Sequence, residues 1–345
     1  MDRLLPMALE AFKSRLGKRR VFCFGAGIQG MRIGEYIIDW RLGEHLAGFI
    51  DNAKAGQTAI LDDRAFPIVS LKSLQGRLGR GDLIFITALA HEEIYRQLEA
   101  AGAWLNEVEV TSSAELARYI LENSDYPGIV RNHTQPVIPK KIHYVWVGGK
   151  MPDSVRENIA AWQRLCPDYE IIEWNEKNYD MGKVPYMKEA YESGLYGYVP
   201  DYLRLDVVYE QGGIYLDTDI ELVRNLDDLL YQDCFGCVDG TLTWNAGSGF
   251  GARPGVEILR QACEYYQNLH FRRADGTIDR RSCNSHQYEL LRKMGYRVTD
   301  KFQTFGGMNI YPMIFQGHEG MTGLNRMTEK TYWIHHEALS WFLGK

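Results

Sequence analysis

The sequence predicts an α/β protein in two halves, a parallel-sheet half followed by a second α/β half, and three observations carry the prediction. Short apolar runs alternate with amphipathic segments from Arg20 to about Val110, and the alternation resumes from Lys141 to about Gln211. Between them, residues 123–139 have no apolar period and hold Pro127, Gly128, Asn132, Pro136 and Pro139, the composition of a boundary. The chain has 345 residues, which at roughly 100–200 residues per domain suits two domains. The expected division is a first domain over 1–125, a linker over 126–137 and a second domain over 138–345.

In the first half, strands are expected over 21–24, 46–50, 82–87 and 107–110. Helices are expected over 28–40, 71–78, 91–101 and 114–122. That order of strand, helix and strand is Rossmann-like. In the second half the pattern predicts a strand over 141–147, a helix over 153–165 and a strand over 170–174. Helices over 185–193 and 198–211 follow, then a strand from Gly213 and a helix near 255–269.

Composition excludes several classes. Hydrophobic residues make up 45% and charged residues 24%, as in ordinary folded proteins. Net charge is −6 and no basic stripe is present, so a nucleic acid partner is not expected. The longest apolar runs, such as 83–90, fall far short of the ~20 residues that cross a bilayer; no membrane span is expected, and peripheral membrane contact stays open. The first twenty residues interleave Asp2, Arg3, Glu10, Lys13 and Arg15 with leucines, unlike a secretory signal. Six cysteines scattered over a long chain predict reduced thiols and a cytoplasmic protein. The Cys234–Cys237 pair has redox or zinc spacing but no second pair, and reads as strand cysteines.

Two motifs carry chemistry. Gly25, Gly27 and Gly30 form a G-x-G-x-x-G that follows a strand and opens a helix, and Asp51 ends the next strand about 20 residues on, as in dinucleotide-binding loops. The alternative is that these glycines only allow tight strand-to-helix packing. The second motif is Gly212-Gly213-Ile214-Tyr215-Leu216-Asp217-Thr218-Asp219-Ile220-Glu221. Read as one strand, it turns Tyr215, Asp217, Asp219 and Glu221 to one face and Ile214, Leu216, Thr218 and Ile220 to the other. Carboxylates that close repel one another unless a hard divalent cation joins them. An EF-hand reading fails because Leu222 stands where the turn glycine belongs. A glycosidase pair fails because neighbours on one strand do not flank a glycosidic bond. Upstream, Asp201 and Arg204 share one face of a helix.

Residues 138–345 resemble the DXD-containing glycosyltransferases of family 32, which include initiating mannosyltransferase-like proteins and capsular polysaccharide enzymes. The matching motifs are Ile138-Pro139-Lys140-Lys141-Ile142-His143-Tyr144-Val145-Trp146, Asp201-Tyr202-Leu203-Arg204, the Gly212–Asp219 stretch, and Thr331-Tyr332-Trp333-Ile334-His335-His336 with Ser340-Trp341. Pro200 departs from the small serine common there. The residues before the boundary loosely resemble small Rossmann-like modules that accompany sugar-modifying enzymes. The resemblance implies a GT-A fold, Mn²⁺ or Mg²⁺, retention of anomeric configuration, and transfer from a UDP- or GDP-sugar to a saccharide or glycolipid in surface polysaccharide synthesis. It makes Asp201, Arg204, Asp217 and Asp219 the candidate catalytic residues. Trp146, Asp201, Arg204, Asp217, Ser340 and Trp341 would bind the donor, and Asp217, Asp219, His335 and His336 are candidate metal ligands. Two rival readings are a nicotinamide-dependent oxidoreductase built on the glycine loop and a catalytically silent sugar-nucleotide-binding protein.

Overall fold

The computed structural model describes residues 2–320 and 322–336, and the chain divides into two compact units, Met1–Asn123 and Ser124–Lys345. The first is a seven-stranded sheet in the order β1-β7-β6-β2-β3-β5-β4. Its strands are β1 (Asp2–Arg3), β2 (Arg20–Phe24), β3 (Leu46–Ile50), β4 (Thr58–Leu61), β5 (Arg64–Val69), β6 (Asp82–Ile86) and β7 (Glu109–Ser112). All neighbours run parallel except the β4–β5 pair. Helices α1 (Leu9–Leu16), α2 (Ile28–Asp39), α3 (His91–Ala100) and α4 (Ser113–Asn123) complete the unit.

Strands β2 and β6 are almost wholly apolar, as a sheet covered on both faces requires. Phe22, Phe24, Ile84 and Ile86 share one core with Ile94 and Leu98 of α3. The expected helix over 71–78 is only a 3₁₀ turn, Leu71–Leu74. Ser70 caps it by accepting from the Ser73 amide at 3.2 Å, and Gly76 at φ +71° ends any continuation. The last strand lies two residues later than expected and runs through the buried polar pair Thr111 and Ser112. The β4–β5 hairpin was not expected; Asp62 and Asp63 both take positive φ at its turn, as a two-residue hairpin loop demands.

The second unit holds a mixed seven-stranded sheet in the order β14-β15-β12-β13-β10-β8-β9. Its strands are β8 (Lys141–Val145), β9 (Glu170–Trp174), β10 (Gly213–Tyr215), β12 (Cys234–Cys237), β13 (Phe250–Ala252), β14 (Gln303–Phe305) and β15 (Met308–Tyr311). Outside it, β11 (Ile220–Leu222) pairs antiparallel with β18 (Trp333–His335), and β16 (His318–Glu319) with β17 (Leu324–Asn325). The helices are α5 (Asp153–Leu165), α6 (Pro185–Glu192), α7 (Pro200–Gln211), α8 (Glu257–Gln267) and α9 (Cys283–Lys293). Cys234 and Cys237 are buried within β12. The segment expected as a linker lies along this unit: Val137 and Ile138 donate to the Leu230 carbonyl, and the Tyr126 hydroxyl donates to the Lys330 carbonyl.

Candidate active site

Helix α7 is buried on every side from Asp201 to Val208 although it carries Asp201, Arg204 and Asp206, so these polar residues must find partners inside the protein. Pro200 occupies the first turn, where its missing N–H costs nothing, and its carbonyl accepts from Arg204 Nε at 2.9 Å. The departure at Pro200 therefore leaves the helix start intact. Asp206 is neutralised by Lys183 and by the hydroxyls of Tyr179 and Tyr202, a structural ion pair. Asp201 and Arg204 are different. Both side chains are about 95% buried and 3.5 Å apart. The Tyr186 hydroxyl donates to Asp201 at 3.0 Å.

Gly212 (φ +64°) and Gly213 (φ +107°) turn the chain from α7 into β10. A Cβ on Gly213 would lie 2.8 Å from His143 Nε2, so the reversal is open to glycine alone. Strand β10 runs parallel to β8, with Tyr215 opposite His143, and delivers Asp217 to the carboxyl end of the sheet. The expected continuous strand does not form. β10 ends at Tyr215, the Ile220 amide donates to the Asp217 carbonyl across a tight turn, and pairing resumes only in β11 with a different partner. The one-face alternation therefore does not run the length of the segment: Tyr215, buried in the core, donates its hydroxyl to Asp217 Oδ1 at 2.7 Å as a shared side requires, whereas Glu221 belongs to β11 and is exposed. The reason is electrostatic, because two carboxylates at i and i+2 in a packed sheet would have to share one buried face, and the turn takes them to its rim. Helix α5 holds the turn: Asn158 Nδ2 donates to the Thr218 and Ile220 carbonyls, and Trp162 Nε1 to Ile220.

Arg204 also stands 3.5 Å from Asp217, with its guanidinium 5.0 Å from the Tyr215 ring centroid. Burial pushes the Asp201 carboxyl up to about 7, with Arg204 opposing; burial likewise raises Asp217, again against Arg204. His335 comes from β18, where the antiparallel register sets it opposite Ile220. Its Nε2 lies 3.4 Å from Asp219 Oδ1, and its Nδ1 is 3.0 Å from Ser248 Oγ. One ligand atom each from Asp217, Asp219 and His335 can be chosen so that all lie within 4.8 Å of one another. Two carboxylates and an imidazole suit a divalent cation that accepts oxygen and nitrogen ligands. His336 does not join them. Successive strand residues point to opposite faces, and its Nε2 meets Glu221 at 2.9 Å in solvent while its amide donates to the Asp219 carbonyl.

Trp146 follows β8 at the same end of the sheet. It is half-buried in a cleft of about 380 Å³ shared with Tyr144, Lys150, Arg156, Ile159 and Glu173. The cleft lies beside α5, which holds the Asp217–Asp219 turn, and contains neither aspartate. Ser340 and Trp341 lie outside the described residues. In the first unit, Gly25 has φ +119°, and a Cβ on Gly30 would fall 1.8 Å from the Gly25 carbonyl oxygen. Gly27 has open space around it. Asp51 accepts from the amides of Ala26, Ala53 and Lys54 at 3.0–3.2 Å, and Lys54 Nζ donates to the Ala26 carbonyl.

Sequence reasoning missed Tyr186, Tyr215, Gly247 and Ser248. Tyr215 was read only as one member of the carboxylate face. Gly247 carried no signal, yet a Cβ there would lie 2.8 Å from Arg204 Nη1 and 2.9 Å from Asp217 Oδ2.

Residues 152–236 match the family model described as "Glycosyltransferase sugar-binding region containing DXD motif". The chain is 33% identical over 121 residues to "Subversion of eukaryotic traffic protein A" of Legionella pneumophila, covering 27% of this chain and 19% of that protein. It is 31% identical over 153 residues to "Inositol phosphoceramide mannosyltransferase 3" of Schizosaccharomyces pombe, covering 41% of this chain and 42% of that protein. The chain thus spans less than half the length of either relative. A solved structure, "PaToxG Glycosyltransferase", is similar at a TM-score of 0.37 and 14% identity over 53% of this chain and 75% of that one. The matched segment contains α7, both glycines of the reversal, Asp217 and Asp219, so the similarity to DXD-type glycosyltransferase sugar-binding regions falls on the residues that build the charged site.

Proposed function

We propose that the second unit transfers a hexose from a nucleoside-diphosphate sugar to a saccharide or glycolipid acceptor, with retention and with a bound divalent cation, on a GT-A type scaffold. The observation that carries this reading is the buried Arg204 between Asp201 and Asp217, beside the Asp217–Asp219–His335 set. Asp217 and Asp219 against one guanidinium, with Asp201 partly ionised behind them, leave an excess of negative charge at the rim of the sheet, which a divalent cation would offset.

Asp217, Asp219 and His335 would hold that cation, which when bound stabilises the charge building on the departing diphosphate. Arg204 and Asp201 would grip the hydroxyls of the transferred sugar, the guanidinium donating and the carboxylate accepting. Their burial keeps water from competing and strengthens both contacts. Trp146 offers a half-buried ring to the nucleobase at the cleft. A glycolipid acceptor is supported by the relative named for inositol phosphoceramide. The resemblance to capsular enzymes supports a role in surface polysaccharide synthesis in the cytoplasm.

The test is hydrolysis of a panel of UDP- and GDP-hexoses by the full chain with Mn²⁺, with Mg²⁺ and with EDTA. Release of sugar from at least one donor, abolished by EDTA and restored by metal, is the expected result. Full activity in EDTA would remove the cation from the reading. Failure of every donor to bind or react would remove the donor class.

A further inference from the structure

Asp239 is a buried carboxylate outside the charged site. It is 4% exposed and spends both oxygens on hydrogen bonds. Oδ1 accepts from the Thr241 amide at 2.8 Å and the Thr241 hydroxyl at 2.5 Å. Oδ2 accepts from Asn245 Nδ2 at 3.0 Å and Asn284 Nδ2 at 2.6 Å. Four donors converge on one anion, an arrangement that a neutral side chain cannot reproduce.

Both amides are oriented by this. With its NH₂ committed to Asp239, the Asn245 carbonyl oxygen must face the other way, where it accepts from the Gly247 amide at 2.8 Å. Gln287, one turn beyond Asn284 on α9, accepts from the Ala246 amide at 3.0 Å. The Asn245–Ser248 turn is thus tied to Asp239 and to α9. Its far side forms a wall of the charged site: Gly247 packs where any Cβ would meet Arg204 and Asp217, and Ser248 Oγ meets His335 Nδ1.

We propose that Asp239 is a positioning residue: through the amides of Asn245 and Asn284 it holds the Gly247–Ser248 wall against Arg204 and His335. This rests on the transferase reading of the site and adds to it a second layer that fixes the first. Without the wall, water enters beside the Arg204 Nη groups, whose contacts to Asp201 and Asp217 are long at 3.5 Å; the Nε bond to the Pro200 carbonyl fixes one edge of the guanidinium and leaves the other to the wall. Displacement of a positioned group by about 1 Å costs on the order of 10² in rate.

Asp239→Asn tests this, because it keeps the side-chain shape but sets an NH₂ against groups that also donate. Asp239→Asn combined with Asn284→Asp returns an acidic acceptor to the cluster. The expected results are a fall in sugar transfer of roughly 10–100-fold in the single variant, nucleoside diphosphate affinity within about threefold of wild type, and partial recovery in the double variant. The activity-independent readout is the Arg204 Nε–H and Gly247 amide signals in ¹⁵N NMR, which should shift in Asp239→Asn and return toward wild type in the pair. If the wild type transfers sugar and Asp239→Asn matches it, the positioning role is overturned. If no donor reacts with wild type, the transferase reading fails separately, and unmoved Arg204 and Gly247 signals would still overturn this inference. Should Asp239→Asn fail to fold, the double variant decides: a folded pair with wild-type signals supports the clamp, and a pair that also unfolds reduces Asp239 to a structural residue.

Discussion

In the first unit, the carboxylate at a strand end, Asp51, accepts from the backbone amides of Ala26, Ala53 and Lys54, and Lys54 Nζ donates to the Ala26 carbonyl. In the second, Asp217 accepts from one tyrosine hydroxyl, stands 3.5 Å from a buried arginine and keeps 27% of its side chain exposed. Both carboxylates follow a strand of a sheet and lie near close-packed glycines, so in the sequence the two motifs look alike. They differ in what their oxygens do. An anion saturated by backbone amides is held by the fold and holds it in return. Carboxylates kept close to one another, with long contacts to a single cation, retain a capacity that a ligand can satisfy. The comparison supports the proposed reading, in which the Asp217 cluster is the reactive centre and the Asp51 loop a packed turn.

The largest effect should come from the site itself. Asp219→Asn removes the charge from one of the three proposed ligand groups, and the loss of leaving-group stabilisation should lower transfer by roughly 10²–10³ at about 1.4 kcal/mol per decade. Isothermal titration with Mn²⁺ alongside turnover checks it. Less than a tenfold loss would break the contrast from the second unit's side.

Asp201 sharpens the comparison through pH. Burial pushes its carboxyl in the folded protein up to about 7 from the ordinary 3.8. Between those values the folded protein holds a proton that the unfolded chain has released, so this residue's contribution to stability falls as pH rises and levels off above about 7. Asp201→Asn should flatten the denaturation profile across that window while sugar transfer is largely lost. Arg204→Lys should also damage transfer more than nucleoside diphosphate affinity, because an ammonium lacks the fork that reaches two carboxylates. Equal slopes for wild type and Asp201→Asn would mean that the carboxylate is not buried as described.

Much of this was legible in the sequence. The strand over 46–50, the helix over 153–165 and the strand over 170–174 have the expected bounds, because each is a single periodic run between clear breakers. Asp201, Arg204, Asp217, Asp219 and His335 meet in space, and their nearness in sequence or in motif order announced it. The break in the carboxylate strand was not legible. Alternation of side chains says nothing about whether a partner strand continues, and the repulsion that drives the turn depends on burial. Tyr186 and Asp239 were invisible for a related reason: they act through partners 15 and 45 residues away, which only the packing of α7 and α9 brings near.

In the first unit, Gly30→Ala should cost stability rather than chemistry. Its Cβ would fall 1.8 Å from a backbone oxygen that cannot move without unseating α2 from β2, and overpacking of this kind costs about 1–3 kcal/mol or more. A drop in the melting temperature of the first unit, with transfer by the folded fraction unchanged, is the expected outcome. Lost transfer per folded molecule would tie the loop to the reaction.

The smallest effect belongs to Gly27→Asp, and its smallness is informative. Gly27 is the N-cap of α2, with φ −87° and ψ −172°, a conformation any residue adopts. Nothing lies within 4 Å of its Cβ position, and aspartate is among the favoured N-cap residues, adding a charge of the sign the helix dipole prefers. The variant should therefore fold as well as wild type or slightly better. Yet it sets a carboxylate where an anion would approach the loop amides, so bound phosphate or dinucleotide would be repelled. Transfer within about twofold of wild type, with no NAD(H) bound by either protein, keeps the first unit out of the chemistry. Stoichiometric NAD(H) binding by wild type that vanishes in Gly27→Asp would reverse the comparison, because the loop with saturated Asp51 would then be a ligand site as well.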